Sequence, residues 1–177
     1  MRCVAASSPS LLTPNASGGF SLIELLVCLG LMAALTMFAS PYWARWQARV
    51  QVETTRDQLI HDLQSARLIA LQQGQAVWVS RVSNCAWASS AGSDWSCGWQ
   101  ISLKANGQVL RTSAQARAVQ ISFSKNDPIE INASGDLGQI GDRWSVKAVP
   151  TVLNLSQVVC LNSASRIRWQ VGDTCSS

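Results

Sequence analysis

Histidine is nearly missing from this 177-residue chain: His61 stands alone. A single imidazole supplies neither a Ser–His–Asp triad nor the paired histidines of most metal sites, and beside Asp62 it reads as a surface residue. There is no P-loop, no G-x-S-x-G and no H-E-x-x-H. Asp127, Asp136 and Asp142 fall in turns and lack EF-hand spacing. These absences argue for a non-enzyme that carries no metal or cofactor. Charge is sparse, at 14% of residues, with a formal net charge of +4. A balance that mildly basic permits an anionic or nucleic-acid partner without requiring one. Tyrosine occurs once against eight tryptophans, and no internal repeat is present.

What the chain does have is one long apolar run. Residues 25–44 are twenty positions without a charge. At ~1.5 Å per residue a helix of that length spans a bilayer core of ~30 Å. Glu24 borders the run. A carboxylate drawn to a bilayer centre costs about 2.5–3.5 kcal/mol, so a simple anchor would omit it. Its presence suggests a positive counter-charge on a neighbouring chain. A secretory signal peptide would need small residues after its apolar core, yet Met37-Phe38-Ala39 places Met there. A plain anchor explains the length but not the acid.

The hexapeptide Gly19-Phe20-Ser21-Leu22-Ile23-Glu24, followed by Leu25-Leu26-Val27, resembles the class III signal of type IV pilins and type II secretion pseudopilins. The resemblance implies cleavage by a membrane peptidase between Gly19 and Phe20 and methylation of Phe20. It also implies that Glu24 neutralises the N-terminal amine of an adjacent subunit. Pro41, the twenty-second mature residue, stands where pilin helices often kink. The leader holds one basic residue, Arg2, whereas pilin leaders usually carry Lys or Arg close to the cut. Losing Arg2 with the leader lowers the net charge from +4 to +3.

The resemblance implies a single pass of the bacterial inner membrane with a periplasmic domain. The expected layout is a leader over 1–19, a membrane helix over 20–44, an amphipathic helix over 45–74 and an antiparallel β domain over 75–177. Leu59, Leu63, Ala66 and Ala70 follow one helical face, with Arg56, Asp57, Asp62 and Arg67 off it, and Gly74 is a helix stop. Beyond Gly74 the period becomes two. Strands are expected over 76–82, 98–103, 108–112, 118–124, 129–132, 143–149, 151–155, 157–161 and 166–171. Asn106-Gly107 signals a hairpin, and Ser134-Gly135-Asp136 and Gly141-Asp142 signal turns. The fold class is α+β: a long helix packed on an antiparallel β domain, two sheets by the family resemblance.

Cys3 leaves with the leader, and Cys28 behaves as a small hydrophobe in the membrane helix. Cys85, Cys97, Cys160 and Cys175 remain in an exported domain, where an oxidising compartment favours two local disulfides. Four cysteines allow three pairings, and sequence does not choose among them. A zinc site from the same thiolates lacks the usual C-x₂-C spacing.

Within the superfamily the chain most resembles the GspH/FimT minor pilins and pseudopilins. The resemblance rests on the helix stretch 63–71, the valine-rich strand after it, Cys97-Gly98-Trp99 and a C-terminal Arg-x-Arg. It implies a filament subunit with other pilin subunits and a prepilin peptidase as partners. FimT-type minor pilins that act in DNA uptake carry Gly-Arg-x-Arg, which Ser165-Arg166-Ile167-Arg168 resembles, with Ser165 in place of Gly. On a strand Arg166 and Arg168 share a face, about 7 Å apart, suited to double-stranded DNA phosphates, with Lys147 or Arg143 assisting. The competing readings are ordinary solvated arginines, and a type II secretion pseudopilin H with no DNA role. Trp43 and Trp46 read as interfacial anchors, Trp78, Trp99, Trp144 and Trp169 as core, and Trp87 and Trp95 as caps of a bridged loop or stacking platforms.

Overall fold

Apolar spacing of 3.6 gives way to alternation at Gly74, and the helix stops there with Gly74 at φ 62°. A left-handed residue just past the last turn is the usual helix terminator, and glycine takes it without a Cβ clash. The computed structural model describes residues 20–83, 85–87, 89, 91–115, 118–125, 128–137, 142–150, 153–162 and 165–175, with backbone alone for 38–41. Helix α1 spans Leu22–Gln73. Eight strands follow: β1 Val77–Arg81, β2 Gly98–Leu103, β3 Val109–Ala114, β4 Val119–Phe123, β5 Ile129–Ile131, β6 Arg143–Ala148, β7 Ser156–Leu161 and β8 Ile167–Val171. The chain divides into two units, Met1–Ser40 and Pro41–Ser177.

In the first unit the described helix residues are almost all apolar, Glu24 being the charged exception, and they are exposed all round, with Leu22 at 77% and Met37 at 81%. A helix apolar on every side needs lipid or another chain around it. Among the described residues no single helix is long and apolar enough to cross a membrane. Leu22–Met37 and Tyr42–Gln73 meet that test of length and composition only together.

In the second unit two four-stranded antiparallel sheets form, ordered β3-β2-β1-β5 and β4-β6-β7-β8. Ala48, Val52, Leu59, Leu63, Ala66 and Ala70 of α1 are buried with Val77, Val79, Trp99 and Ile101 of one sheet and Ile121, Trp144, Val146 and Val159 of the other. The segment before β2 joins the sheets: the Trp95 N–H donates to the Ile121 carbonyl (2.9 Å) and the Phe123 N–H to the Ser93 carbonyl (2.8 Å). Trp95 is fully buried and packs on Phe123 and Trp144 at centroid distances of 5.3 and 5.9 Å. Gly98 has no room for a side chain, since a Cβ there would sit 2.0 Å from the Ser113 carbonyl. The hairpin at Asn106-Gly107 forms between β2 and β3.

Several expectations are corrected. Residues 153–155 form no strand, and 151–152 lie outside the described residues. Pro150 ends β6 because it has no N–H for a ladder, and Asn154 takes φ 49°. Gly141 also lies outside the described residues. Trp78 is not core: it points to the outer face of β1, its indole N–H 3.4 Å from Glu130 Oε2, while its neighbours Val77 and Val79 are buried. Trp169 is 49% exposed because β8 is a sheet edge, and the Arg56 guanidinium lies 3.9 Å over its ring. Trp87 is exposed, unlike Trp95 in the same disulfide loop.

Asp62, off the apolar stripe, is nonetheless fully buried. The β2–β3 hairpin covers its side of the helix. Trp99 Nε1 (2.9 Å), Ser113 Oγ (2.5 Å) and Gln58 Nε2 (3.1 Å) all donate to Oδ2. Arg111 Nε lies 3.1 Å from Oδ1, a charge contact without hydrogen-bond alignment. Burial alone raises the Asp62 pKa; the hydrogen bonds from Ser113, Gln58 and Trp99 and the Arg111 charge outweigh it and hold the carboxyl below the ordinary aspartate value.

Candidate functional site

Two regions carry the sequence-derived site residues. The first is the start of α1. Gly19 lies outside the described residues, Phe20 is 82% exposed, and Glu24 occupies the first helical turn. An acid there faces the positive end of the helix dipole.

The second is the outer face of the β4-β6-β7-β8 sheet, built by register. Arg143 on β6 lies opposite Cys160 on β7, which lies opposite Arg168 on the edge strand β8. Strands are ~4.8 Å apart, so these two guanidiniums flank the Cys160 row on one face. Arg166 enters from the turn just before β8. Its N–H donates to Asn162 Oδ1 (2.9 Å), and its carbonyl accepts from the Asn162 N–H (3.2 Å). Arg143, Arg166 and Arg168 are exposed, and no carboxylate pairs with them among the described residues. The register therefore sets two of the four candidate cations, Arg143 and Arg168, on one face, with Arg166 at the turn into β8.

Lys147 is separate. It lies four residues along β6 from Arg143, opposite Ser156, and its ammonium is 3.0 Å from Asp173. The hydrogen bond from Lys147 is the main cause that holds the Asp173 carboxyl below its usual range. Asp173 belongs to a C-terminal strap that folds back over this face. The Cys160–Cys175 disulfide ties the strap down, and Gln170 Nε2 donates to the Thr174 carbonyl. The strap explains why Val158, on the outward-facing row of β7, is fully buried. The other pair is Cys85–Cys97, so the local pairing holds at both sites. Sequence reading passed over Asp173; its place two residues before a bridged cysteine was the available signal.

Ser165, just before Arg166, makes a left-handed turn into β8. It has φ 55°, and its buried Oγ accepts from the Leu137 N–H at 3.1 Å. A left-handed conformation costs a residue with a Cβ roughly 1–2 kcal/mol. Ser165→Ala keeps that strain and strands the Leu137 N–H, so we expect a loss of about 1–3 kcal/mol. Ser165→Gly also loses the acceptor but relieves the backbone, and should unfold about 1 kcal/mol less easily than the alanine variant. Thermal denaturation of the two variants side by side checks the order.

A family model described as type II transport protein GspH matches residues 55–172, and one for the prokaryotic N-terminal methylation motif matches residues 14–40. No curated protein matched. Among solved structures, the type IV minor pilin FimU of Pseudomonas aeruginosa PAO1 in its P21 crystal form aligns with TM-score 0.57 and 18% identity, over 74% of this chain and 99% of its own. The minor pseudopilin EpsH of the Vibrio cholerae Type 2 Secretion System aligns with TM-score 0.53 and 11% identity, over 68% and 97%. At such identities the likeness is one of fold: a long helix followed by two antiparallel sheets.

Proposed function

Since the chain belongs to the GspH family and carries the N-terminal methylation motif, placing it among the minor pilins and pseudopilins, we propose that it enters a type IV pilus-like filament as a minor subunit and offers a DNA-binding face for uptake. Prepilin peptidase cuts between Gly19 and Phe20 and methylates Phe20. The subunit waits in the bacterial inner membrane with its β domain in the periplasm. Glu24 then pairs with the N-terminal amine of a neighbouring subunit as it joins the filament.

The observation that carries the DNA reading is the register that sets exposed Arg143 and Arg168 on one face, with exposed Arg166 in the turn that enters β8, none of them with a carboxylate partner among the described residues. Guanidiniums held on a rigid sheet suit phosphates, which they contact bidentately. Lys147 is left out of the binding set because Asp173 neutralises it. In full-length protein held in neutral detergent, Arg166→Ala/Arg168→Ala should flatten the log–log salt dependence of double-stranded DNA binding by roughly 2. Unchanged DNA binding by that variant would make the arginines ordinary surface.

A second reading, a pseudopilin of a type II secretion machine with no DNA role, is favoured by the description of the matching family as a type II transport protein. Transformation lost with filaments intact in the double variant supports the first reading. Secretion lost on deleting the gene, with normal transformation, supports the second.

A further inference from the structure

Where the apolar run ends, the helix enters the β domain beside a groove of about 580 Å³. Tyr42, Arg45, Trp46 and Arg49 line one wall, and Asn154–Gln157 with Val171 of β8 line the other. Val52 and Leu155 form its floor, the first buried and the second half-buried, while three of its other apolar members are bare. Tyr42 is 80% exposed, Trp46 56% and Val171 78%, and Trp43 stacks beside Trp46 at 5.2 Å between rings. Among the described residues, the charged side chains in the lining are two arginines. Arg45 and Arg49 stand one helical turn apart on the same face, a like-charge spacing that weakens a helix. Arg49 has an acid partner in Glu53, which lies outside the groove lining. A groove with exposed aromatic walls, Arg45 without a carboxylate partner among the described residues and Arg49 shared with Glu53 keeps a net positive charge, and complements a ligand that is anionic at one end and apolar at the other.

We propose that this groove binds the headgroup of an anionic phospholipid, with the phosphate on Arg45 and Arg49 and the upper acyl chain against Tyr42, Trp46 and Val171. The inference rests on the membrane-held state proposed above. The chain itself sets the depth. Helical rise places Arg49 only about 8 Å beyond Ala44, the last residue of the uncharged run. That is the interfacial level where Trp and Tyr concentrate, and where basic pockets take lipid headgroups. The filament reading concerns Glu24 and the arginines of the outer sheet face; the groove adds a lipid ligand held until the subunit leaves the bilayer.

The test uses the full-length chain, one copy per nanodisc. The discs contain phosphatidylcholine with a minority of phosphatidylglycerol, and either lipid is brominated in its acyl chain. The readout is the part of the tryptophan quenching that Trp46→Phe removes. We expect brominated phosphatidylglycerol to quench well above its share of the lipid. Arg45→Gln/Arg49→Gln should reduce that preference, at roughly fivefold per arginine, to near its mole fraction. Either arginine is exposed, so the variant should fold, and unchanged near-ultraviolet circular dichroism checks this. A preference that survives in the folded variant overturns the proposal. So does a preference abolished by inorganic phosphate at constant ionic strength, which would make this a site for free phosphate. Absent quenching of Trp46 by either brominated lipid also overturns it and assigns the groove to a protein partner. Incorporation into filaments, measured separately, reports on the filament reading whichever way the lipid test falls.

Discussion

Asp62→Ala is expected to cost about 2–4 kcal/mol and to lower the melting temperature by on the order of 10 °C. The carboxylate is the shared acceptor for Trp99, Ser113 and Gln58, and the counter-charge of Arg111. Arg111 is 42% exposed in its side chain, so water takes over part of its charge when the acid goes. The buried Trp99 N–H has no such recourse, and its desolvation makes up much of the loss. Asp62→Asn keeps the volume and one acceptor oxygen and should fall between alanine and wild type. The pH dependence has a definite sign. The folded-state pKa lies below the ordinary aspartate value, so between the two the unfolded chain binds more protons. The Asp62 contribution is therefore fully present above about pH 4 and is lost as pH falls through the folded pKa. Denaturant titrations of wild type and Asp62→Asn should differ at pH 7 and converge in acid. A gap that is constant with pH would remove the charge from the explanation.

Glu24→Ala is expected to leave membrane levels unchanged while reducing the chain in sheared filament fractions by roughly 100-fold. That factor corresponds to the 2.5–3.5 kcal/mol cost of an unpaired charge among apolar helices. Glu24→Gln should behave like alanine, because it keeps the size and loses the charge. In the same preparations, the mass of the membrane-extracted wild type should match a chain that begins at N-methylated Phe20. Equal incorporation of Glu24→Ala, or a product that still carries residues 1–19, would refute the counter-charge mechanism.

The helix, its stop at Gly74 and most of the strands were legible because each follows from neighbours in the chain: a period of 3.6, a period of 2, and an Asn-Gly turn. The misses share a cause. Trp78 and Trp169 look alike to any reading based on hydrophobicity, but which face of a strand meets the helix, and which strand ends the sheet, depend on strand order. Residues 153–155 were read as part of a strand because they are apolar enough for one, while Pro150 cannot join a ladder. Ser165 shows the reverse: nothing in its neighbours signals a left-handed turn, yet it takes one, with its hydroxyl bonded to Leu137, 28 positions away.

The amino-acid order alone determined the apolar stem, its acid, the helix and the alternating strands, since these depend on interactions within a few residues. Tertiary structure decided which charges stay available. Asp62 is buried against a strand about 50 positions away, Arg56 is held by Gln157 and Trp169, and Lys147 is taken by Asp173. Arg143, Arg166 and Arg168 keep their faces open. The physical reason is that a charge is neutralised by what lies within a few ångströms in space, and in a β domain those neighbours come from remote parts of the chain.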